Sequence, residues 1–397
     1  MQTVTAQQLQ KKYRIQSIDL LRGLVMIIMA LDHVRDFFHY DVNIGQDPLD
    51  FSTTTPILFL TRWITHFCAP VFVFLSGTGI FLYSIKNRTK QQVAFFLLTR
   101  GLWLMLAEII IINPAWSFNI YFSETVLQVI WAIGISMVCL SALQFLPYKV
   151  LLVLGLIIVF SHNLFDGISV KDPSFIWSLL HQPHNFHVAP HVDMLVMYPF
   201  MSWLGLMICG YCLGKLYMQN VDTGYRKRFL FYTGLLLIVL FILIRFLNIY
   251  GDLHKWTVQK TTVFTILDFI NTTKYPPSLL YMLMTIGPAL VFLSFAEKTS
   301  NWLSNKITVF GKVPFFYYFM HILLIHLVRW VFFFAAGHNI NELTFPNTHE
   351  GNMPLGVGYP LWEVYLIWIG IVVLLYFPCK WYSRYKATHQ YWWLSYV

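Results

Sequence analysis

The chain has 397 residues, of which 57% are hydrophobic and only 11% charged, whereas a soluble domain would carry about a quarter charged residues. That composition excludes an ordinary soluble protein. The formal net charge of +9 would suit a nucleic-acid binder, but the basic residues are spread between apolar stretches, so no nucleic-acid partner is expected. Apolar spans of roughly 20 residues recur, and ten are read near 18–38, 57–85, 92–112, 124–145, 148–162, 194–218, 229–249, 278–296, 313–335 and 360–381. Period-two alternation is absent and the spans are too long for barrel strands. The expected fold class is therefore all-α, a polytopic transmembrane helical bundle.

Residues 1–397 read as one integral-membrane domain, with a polar head at 1–16 and a polar tail at 382–397. The head has no apolar core or small-residue cleavage site, so it does not read as a secretory signal. Threading ten spans puts Lys11, Lys12, Arg14, Lys86, Arg88, Lys90, Lys149, Lys215, Arg226, Lys227, Arg228, Lys298, Lys306, Lys312, Lys380, Arg384 and Lys386 on one side. The opposite loops hold only Lys171, Lys255, Lys260 and Lys274. The positive-inside rule then places both termini in the cytoplasm, with anionic lipid as a further contact of the basic face. Loops near 40–56, 163–193, 250–277 and 337–359 fall outside. The elaborated face is thus the outer one, as expected if an acceptor arrives there.

The first span carries Asp19, Arg22, Asp32, His33, Arg35, Asp36 and His39. Ionisable groups are costly in hydrocarbon, so a run of them on one helix is a functional-site hypothesis. Asp32, Arg35, Asp36 and His39 fall at i, i+3, i+4 and i+7 and share one face; Arg22 and His33 nearly eclipse on a neighbouring one. A carboxylate beside imidazole can orient the ring for proton transfer. Such a layout suits a site that moves protons or acyl groups. The bland alternative is an ion network that only locks helices together, and for His33 a neutral ring held by an interhelical hydrogen bond.

The second span brings Arg62 and His66 at i, i+4, level with His39; they complete the site or are a snorkelling Arg and a rim His. Pro70 should kink this span and free a carbonyl. Cys209 and Cys212 form a CxxC inside the small-residue run Gly205–Gly214, where helix packing outweighs redox or zinc chemistry. His181, His184, His187 and His191 have metal-like spacing, but Pro183 and Pro190 interrupt it, and no metal is expected. The ninth span places Tyr317 and His321 at i, i+4, and His326 and Arg329 at i, i+3. Lys312 opens it, where a cation beside a helix N-terminus could hold the phosphate of a donor. Interhelical hydrogen bonding is the alternative for both histidines.

Four blocks of the chain resemble the heparan-α-glucosaminide N-acetyltransferase-like family of membrane acyltransferases, including its bacterial branch. They are Ser17-Ile-Asp-Leu-Leu-Arg-Gly-Leu-Val-Met with Asp32-His33-Val34-Arg35-Asp36; Pro70-Val-Phe-Val-Phe-Leu-Ser-Gly77; Tyr198-Pro-Phe-Met-Ser-Trp-Leu-Gly205; and Lys274-Tyr-Pro-Pro-Ser278 with Gly311-Lys-Val-Pro-Phe-Phe-Tyr-Tyr318. The resemblance implies transfer of an acetyl group from cytoplasmic acetyl-CoA to an amino or hydroxyl group of a sugar or envelope glycan outside, assisted by a histidine after the first conserved span. That histidine best matches His39; His33 and His66 are the other candidates, and Asp32 or Asp36 would support the base. Arg22, Arg100 and Lys312 would meet the donor's phosphates, with Tyr317 and His321 beside the donor. Arg35, Arg62 and His66 would face the acceptor, and Arg62 or Tyr317 would stabilise the oxyanion. The resemblance implies a multi-pass protein of the bacterial inner membrane, with lipid around it and a second copy of the chain as a candidate partner. The alternative reading of the same Asp/His/Arg stripe is a proton-coupled transporter; a third is a non-catalytic envelope protein.

Overall fold

The computed structural model describes residues 15–40, 46–119, 121–342 and 357–396. Most of the polar head, with Lys11, Lys12 and Arg14, lies outside the described residues, as do parts of the loops near 40–56 and 337–359. The fold is predominantly helical. Its first helix is α1 (Gln16–Phe38). The second span is two helices, α2 (Pro56–Thr65) and α3 (Cys68–Ser84). Next comes α4 (Lys90–Ala107), which continues through a π-helical turn, Glu108–Ile112, into α5 (Asn113–Ser117). After strand β1 (Glu124–Leu127) come α6 (Val129–Leu143), α7 (Tyr148–Ser161) and α8 (Phe175–Leu180). Strands β2 (His184–Ala189) and β3 (Val192–Val196) precede α9 (Phe200–Leu213) and α10 (Thr223–Leu247). The chain ends with α11 (Thr262–Ile270), α12 (Leu279–Ala296), α13 (Trp302–Lys312), α14 (Pro314–Ala335) and α15 (Leu361–Thr388).

Among the described residues, eight helical segments are long and apolar enough to cross a membrane: Pro56–Ser84, Lys90–Ser117, Tyr148–Phe165, Phe200–Tyr217, Thr223–Leu247, Leu279–Ala296, Pro314–Ala335 and Leu361–Thr388. Helix α1 is long enough but carries too many charges to count with them, and α6 is shorter. Polar caps set several starts. Thr55 accepts from the Leu58 amide ahead of Pro56, Thr89 and Gln92 close a capping box, and Ser278 accepts from Tyr281.

The all-α class expected from the sequence holds, with a little sheet added to the bundle. Three strands form a sheet in the order β1-β3-β2, with β1 parallel and β2 antiparallel to β3. Stretches read as parts of spans, 124–127 and 194–196, are strand instead. The side chain of Asn113 fixes the sheet to the bundle: it accepts from the Val126 amide at 2.7 Å and donates to the Val126 carbonyl at 3.0 Å.

One end of the bundle gathers the helix termini that carry most of the basic residues. There Ser17 donates to Glu297, Arg226 forks onto the same carboxylate at 2.8 and 2.6 Å, and Gln16 donates to Asn305. The sheet and the long loops occupy the opposite end. Helix α1 is the axis: it packs against α2, α3, α12, α13, α14 and α15. Its crossing with α13 is a backbone contact. A Cβ on Gly23 would stand 2.1 Å from the Ile307 carbonyl oxygen, and one on Gly311 would stand 1.9 Å from that of Asp19. This approach also lets Arg22 donate to the Gly311 carbonyl at 3.3 Å. Gly23→Ala should therefore cost about 1–3 kcal/mol, the usual penalty of overpacking, and lower the unfolding temperature in detergent; an unchanged temperature would contradict the contact.

Candidate functional site

The last two turns of α1 present Asp32, His33, Arg35 and Asp36 inside the bundle. Asp32 receives Arg62 from α2 on one side and Arg35, at 3.1 Å, on the other; Arg35 also pairs with Asp36. The result is an alternating series, Arg62–Asp32–Arg35–Asp36. Asp32 and Arg35 are buried. Charges so placed are tolerable only when paired, because each isolated ion would carry a desolvation penalty of several kcal/mol.

His33 stands beside this series and is bonded to His321 of α14, Nδ1 to Nε2 at 2.7 Å, with the two rings stacked. His321 Nδ1 donates to the Tyr317 carbonyl at 2.9 Å. A carbonyl only accepts, so neutral His321 carries its proton on Nδ1 and its lone pair on Nε2. His33 must then donate from Nδ1, which leaves Nε2 as its basic nitrogen. The pair thus selects one tautomer of His33, which is what a general base needs. Trp116 packs edge-on against the same ring, with centroids 4.7 Å apart.

Four cavities run in series past these residues. A cavity of about 240 Å³ toward the basic end is lined by Arg22 and Arg100, with Ser76, Gly79 and Ile80 along its wall. Through Phe72 and Ile130 it adjoins a neck of about 40 Å³ that includes Met26, Met29, Asp32 and His33. The neck shares Asp32, His33, Gln128, Tyr198 and Lys274 with a central chamber of about 320 Å³. Asp36, Asn113, Trp116, Glu124 and Tyr275 also line that chamber. It shares Arg62, Lys274 and Tyr275 with a vestibule where His66, Asp47 and Asp50 stand. Asp32 and His33 therefore line both the neck and the central chamber.

The expected site residues divide accordingly. Asp32, His33, Asp36, Arg62 and His66 come together in the outer half, and Arg22 and Arg100 in the inner cavity. His321 touches the site through His33. Arg35 lines none of the four cavities and serves as the inner link of the ion series. His39 is the C-cap of α1, is buried, and lines none of the four cavities. His39 leaves the helix in extended backbone, bridges to Tyr359 and stacks on Tyr40. Tyr317 is wholly buried, and its hydroxyl has no partner among the described residues. Lys312 is the last residue of α13 rather than the start of the next span, and it does not line the cavity of Arg22 and Arg100. Pro70 does free a carbonyl: the helix breaks at 66–67, and the His66 carbonyl accepts from the Tyr281 hydroxyl at 2.8 Å. Both ring nitrogens of His66 are buried without a partner among the described residues. The outer histidines part rather than converge, His181 onto Asp166 at 3.1 Å and His187 onto Asp193 at 2.9 Å.

Residues not singled out as site groups are Tyr198, Gln128, Lys274 and Tyr275. For Tyr198, Lys274 and Tyr275 the signal was the Tyr198-Pro and Lys274-Tyr-Pro-Pro-Ser blocks, and Gln128 gave none. The loop holding Lys274 and Tyr275 is built by two buried groups. Arg245 donates to the carbonyls of Phe269, His254, Asp268 and Asn271. Asp252 accepts from the Thr273 amide and hydroxyl at 3.0 and 2.7 Å and from Ser278 at 2.5 Å, clasping both ends of the turn. Burial pushes the Tyr275 phenol up, but Lys274 and Arg62 beside it outweigh this and hold it below the ordinary phenol range. Losing one partner of a buried ion pair costs about 3–5 kcal/mol, so Arg62→Met should destabilise the protein strongly, read as thermal unfolding in detergent. Arg62→Met with Asp32→Asn should recover part of the loss; equal stability of Arg62→Met and the parent would contradict the pairing.

The family model for heparan-alpha-glucosaminide N-acetyltransferase, catalytic, matches residues 14–250. That covers more than half of the chain, including Asp32, His33, Arg62, Arg100 and Tyr198, while Lys274 and α14 lie beyond it. No curated protein matches the chain. An integral, multi-pass helical architecture accompanies this match, and the chain belongs to the heparan-alpha-glucosaminide N-acetyltransferase catalytic family, a membrane acetyltransferase-type family.

Proposed function

We propose that this protein takes an acetyl group from acetyl-CoA at its basic end and passes it to an amino or hydroxyl group of a sugar or envelope glycan at the opposite end. The observation that carries this reading is the series of four adjoining cavities, with Asp32 and His33 lining both the neck and the central chamber. The inner cavity offers two guanidinium groups, Arg22 and Arg100, suited to the phosphates of a nucleotide thioester. The neck beyond it is mostly apolar on the inner side, with Met26, Met29, Phe72 and Ile130, and is suited to a pantetheine arm. The central chamber mixes amide, carboxylate and indole groups from Asn113, Gln128, Glu124 and Trp116, a composition that suits a sugar.

His33 is the base we assign, in the role the family resemblance gave His39. Its Nε2 takes the proton of the acceptor hydroxyl or amine as that group attacks the thioester, and Asp32 nearby favours the imidazolium that forms. His321 keeps His33 in the right tautomer. Direct transfer is the simpler course, since donor and acceptor reach His33 from opposite sides. The basic end then faces the cytoplasm of the bacterial inner membrane.

Purified protein with labelled acetyl-CoA and an amino-sugar acceptor should release CoA only when the acceptor is present. His33→Ala should lower kcat by about 10²–10⁴-fold, the usual worth of a general base, while binding of CoA persists, and His39→Ala should stay close to the parent. Absence of acetyl transfer by the parent protein, or full activity in His33→Ala, would refute the assignment.

A further inference from the structure

Three cations stand at or behind the walls of the outer cavities, and two are already committed. Arg35 lies between Asp32 and Asp36, and Arg62 is held by Asp32. Lys274 has no ion pair with a carboxylate among the described residues; its ammonium lies over the Tyr275 ring, 5.1 Å from the centroid, and donates a hydrogen bond to the Tyr275 hydroxyl. It is also the cation that lines the neck, the central chamber and the vestibule alike. Arg62 lines only the outer two of these, and Tyr317 lines none of the four cavities.

The backbone that carries Lys274 is held from several sides. Its turn is closed by the Ser278 amide donating to the Thr273 carbonyl at 3.0 Å and by pairing of Lys274 with Pro277. Asp252 clasps the turn from one side, and His162 donates to the Pro277 carbonyl at 2.8 Å from the other. A fixed cation in a water-poor site stabilises developing negative charge without reorganising at the moment of reaction.

The geometry points to Lys274 as a catalytic residue, the group whose N–H donates to the thioester carbonyl oxygen as it becomes an oxyanion. This rests on the acyl-transfer reading above. The acceptor's lone pair forms the new bond to the carbonyl carbon, its proton goes to His33 Nε2, and the carbonyl π pair moves onto oxygen beside the Lys274 ammonium. When that pair returns, the carbon–sulfur bond breaks. The CoA thiolate leaves with the bonding electrons and takes the proton from His33, giving free CoA and the acetylated acceptor.

The test compares the parent with Lys274→Met, Lys274→Gln and Lys274→Arg in steady-state kinetics, with CoA affinity measured separately on the same purified samples. Removing one oxyanion donor typically costs about 10²–10³-fold in kcat, and that loss is expected for the two uncharged variants, with KM for both substrates and CoA affinity nearly unchanged. Lys274→Arg, which keeps a cation, should recover part of the rate. An unchanged kcat, or a loss confined to KM for the acceptor, would overturn the assignment. Failure of both uncharged variants to fold would make the ammonium structural and overturn it as well. A parent enzyme with no acetyl transfer at all would instead sink the acyl-transfer reading, which separates the two failures.

Discussion

The ion series Arg62–Asp32–Arg35–Asp36 constrains the rest of the molecule. Four charges placed among apolar helices must stay together, because separating any one exposes its neighbour to the full cost of burial. Three of them belong to α1, so that helix cannot face lipid. It occupies the axis, surrounded by α2, α3, α12, α13, α14 and α15. Arg62 reaches the series because the second span is broken: α2 ends at Thr65 and α3 starts at Cys68. Polar chemistry in the middle of the bundle is thus a consequence of where α1 has to sit.

Interruptions in helices then shape the space around that series. Pro70 costs a backbone bond at the break, and the Tyr281 hydroxyl satisfies the carbonyl it frees. The π-helical turn Glu108–Ile112 redirects the end of the third span, a distortion that recurs at functional sites. Glu108, wholly buried there, accepts from the Trp131 amide at 3.0 Å and so caps the start of α6. Asn113 follows and fixes β1. The small sheet closes one wall of the central chamber with Glu124, Val126 and Leu195. Opposite it stands the Lys274–Tyr275 turn, held by Asp252 and Arg245. A chamber walled by hydrogen-bonded turns rather than by loose loops can hold reacting groups in register.

Much of this was legible in the sequence, for identifiable reasons. Long apolar runs specify helices because a bilayer demands them. Asp32, His33, Asp36 and Arg62 stood out as charges in apolar surroundings and do converge. His39 caps α1 at its C-terminus and lines none of the four cavities, and the i, i+7 relation to Asp32 carries no information about where a cavity ends. The sheet was not legible: β1 and β3 read as the edges of neighbouring apolar spans, and β2, His184–Ala189, has too little apolar alternation to signal a strand. Lys274, Tyr275 and Tyr198 reach the site from loops far away in sequence. Periodicity carries no information about such contacts; only the Pro-containing blocks around them hinted that their backbone mattered.

The claim on which the account turns is that a thioester entering from the basic end meets an acceptor at Asp32 and His33. A structure determined with CoA bound, in lipid nanodiscs, tests it most directly. The account predicts the phosphates beside Arg22 and Arg100, the arm passing Phe72 and Ile130, and the sulfur within reach of His33 and Lys274. CoA bound elsewhere, or a sulfur separated from His33 by closed packing at Phe72, would contradict it.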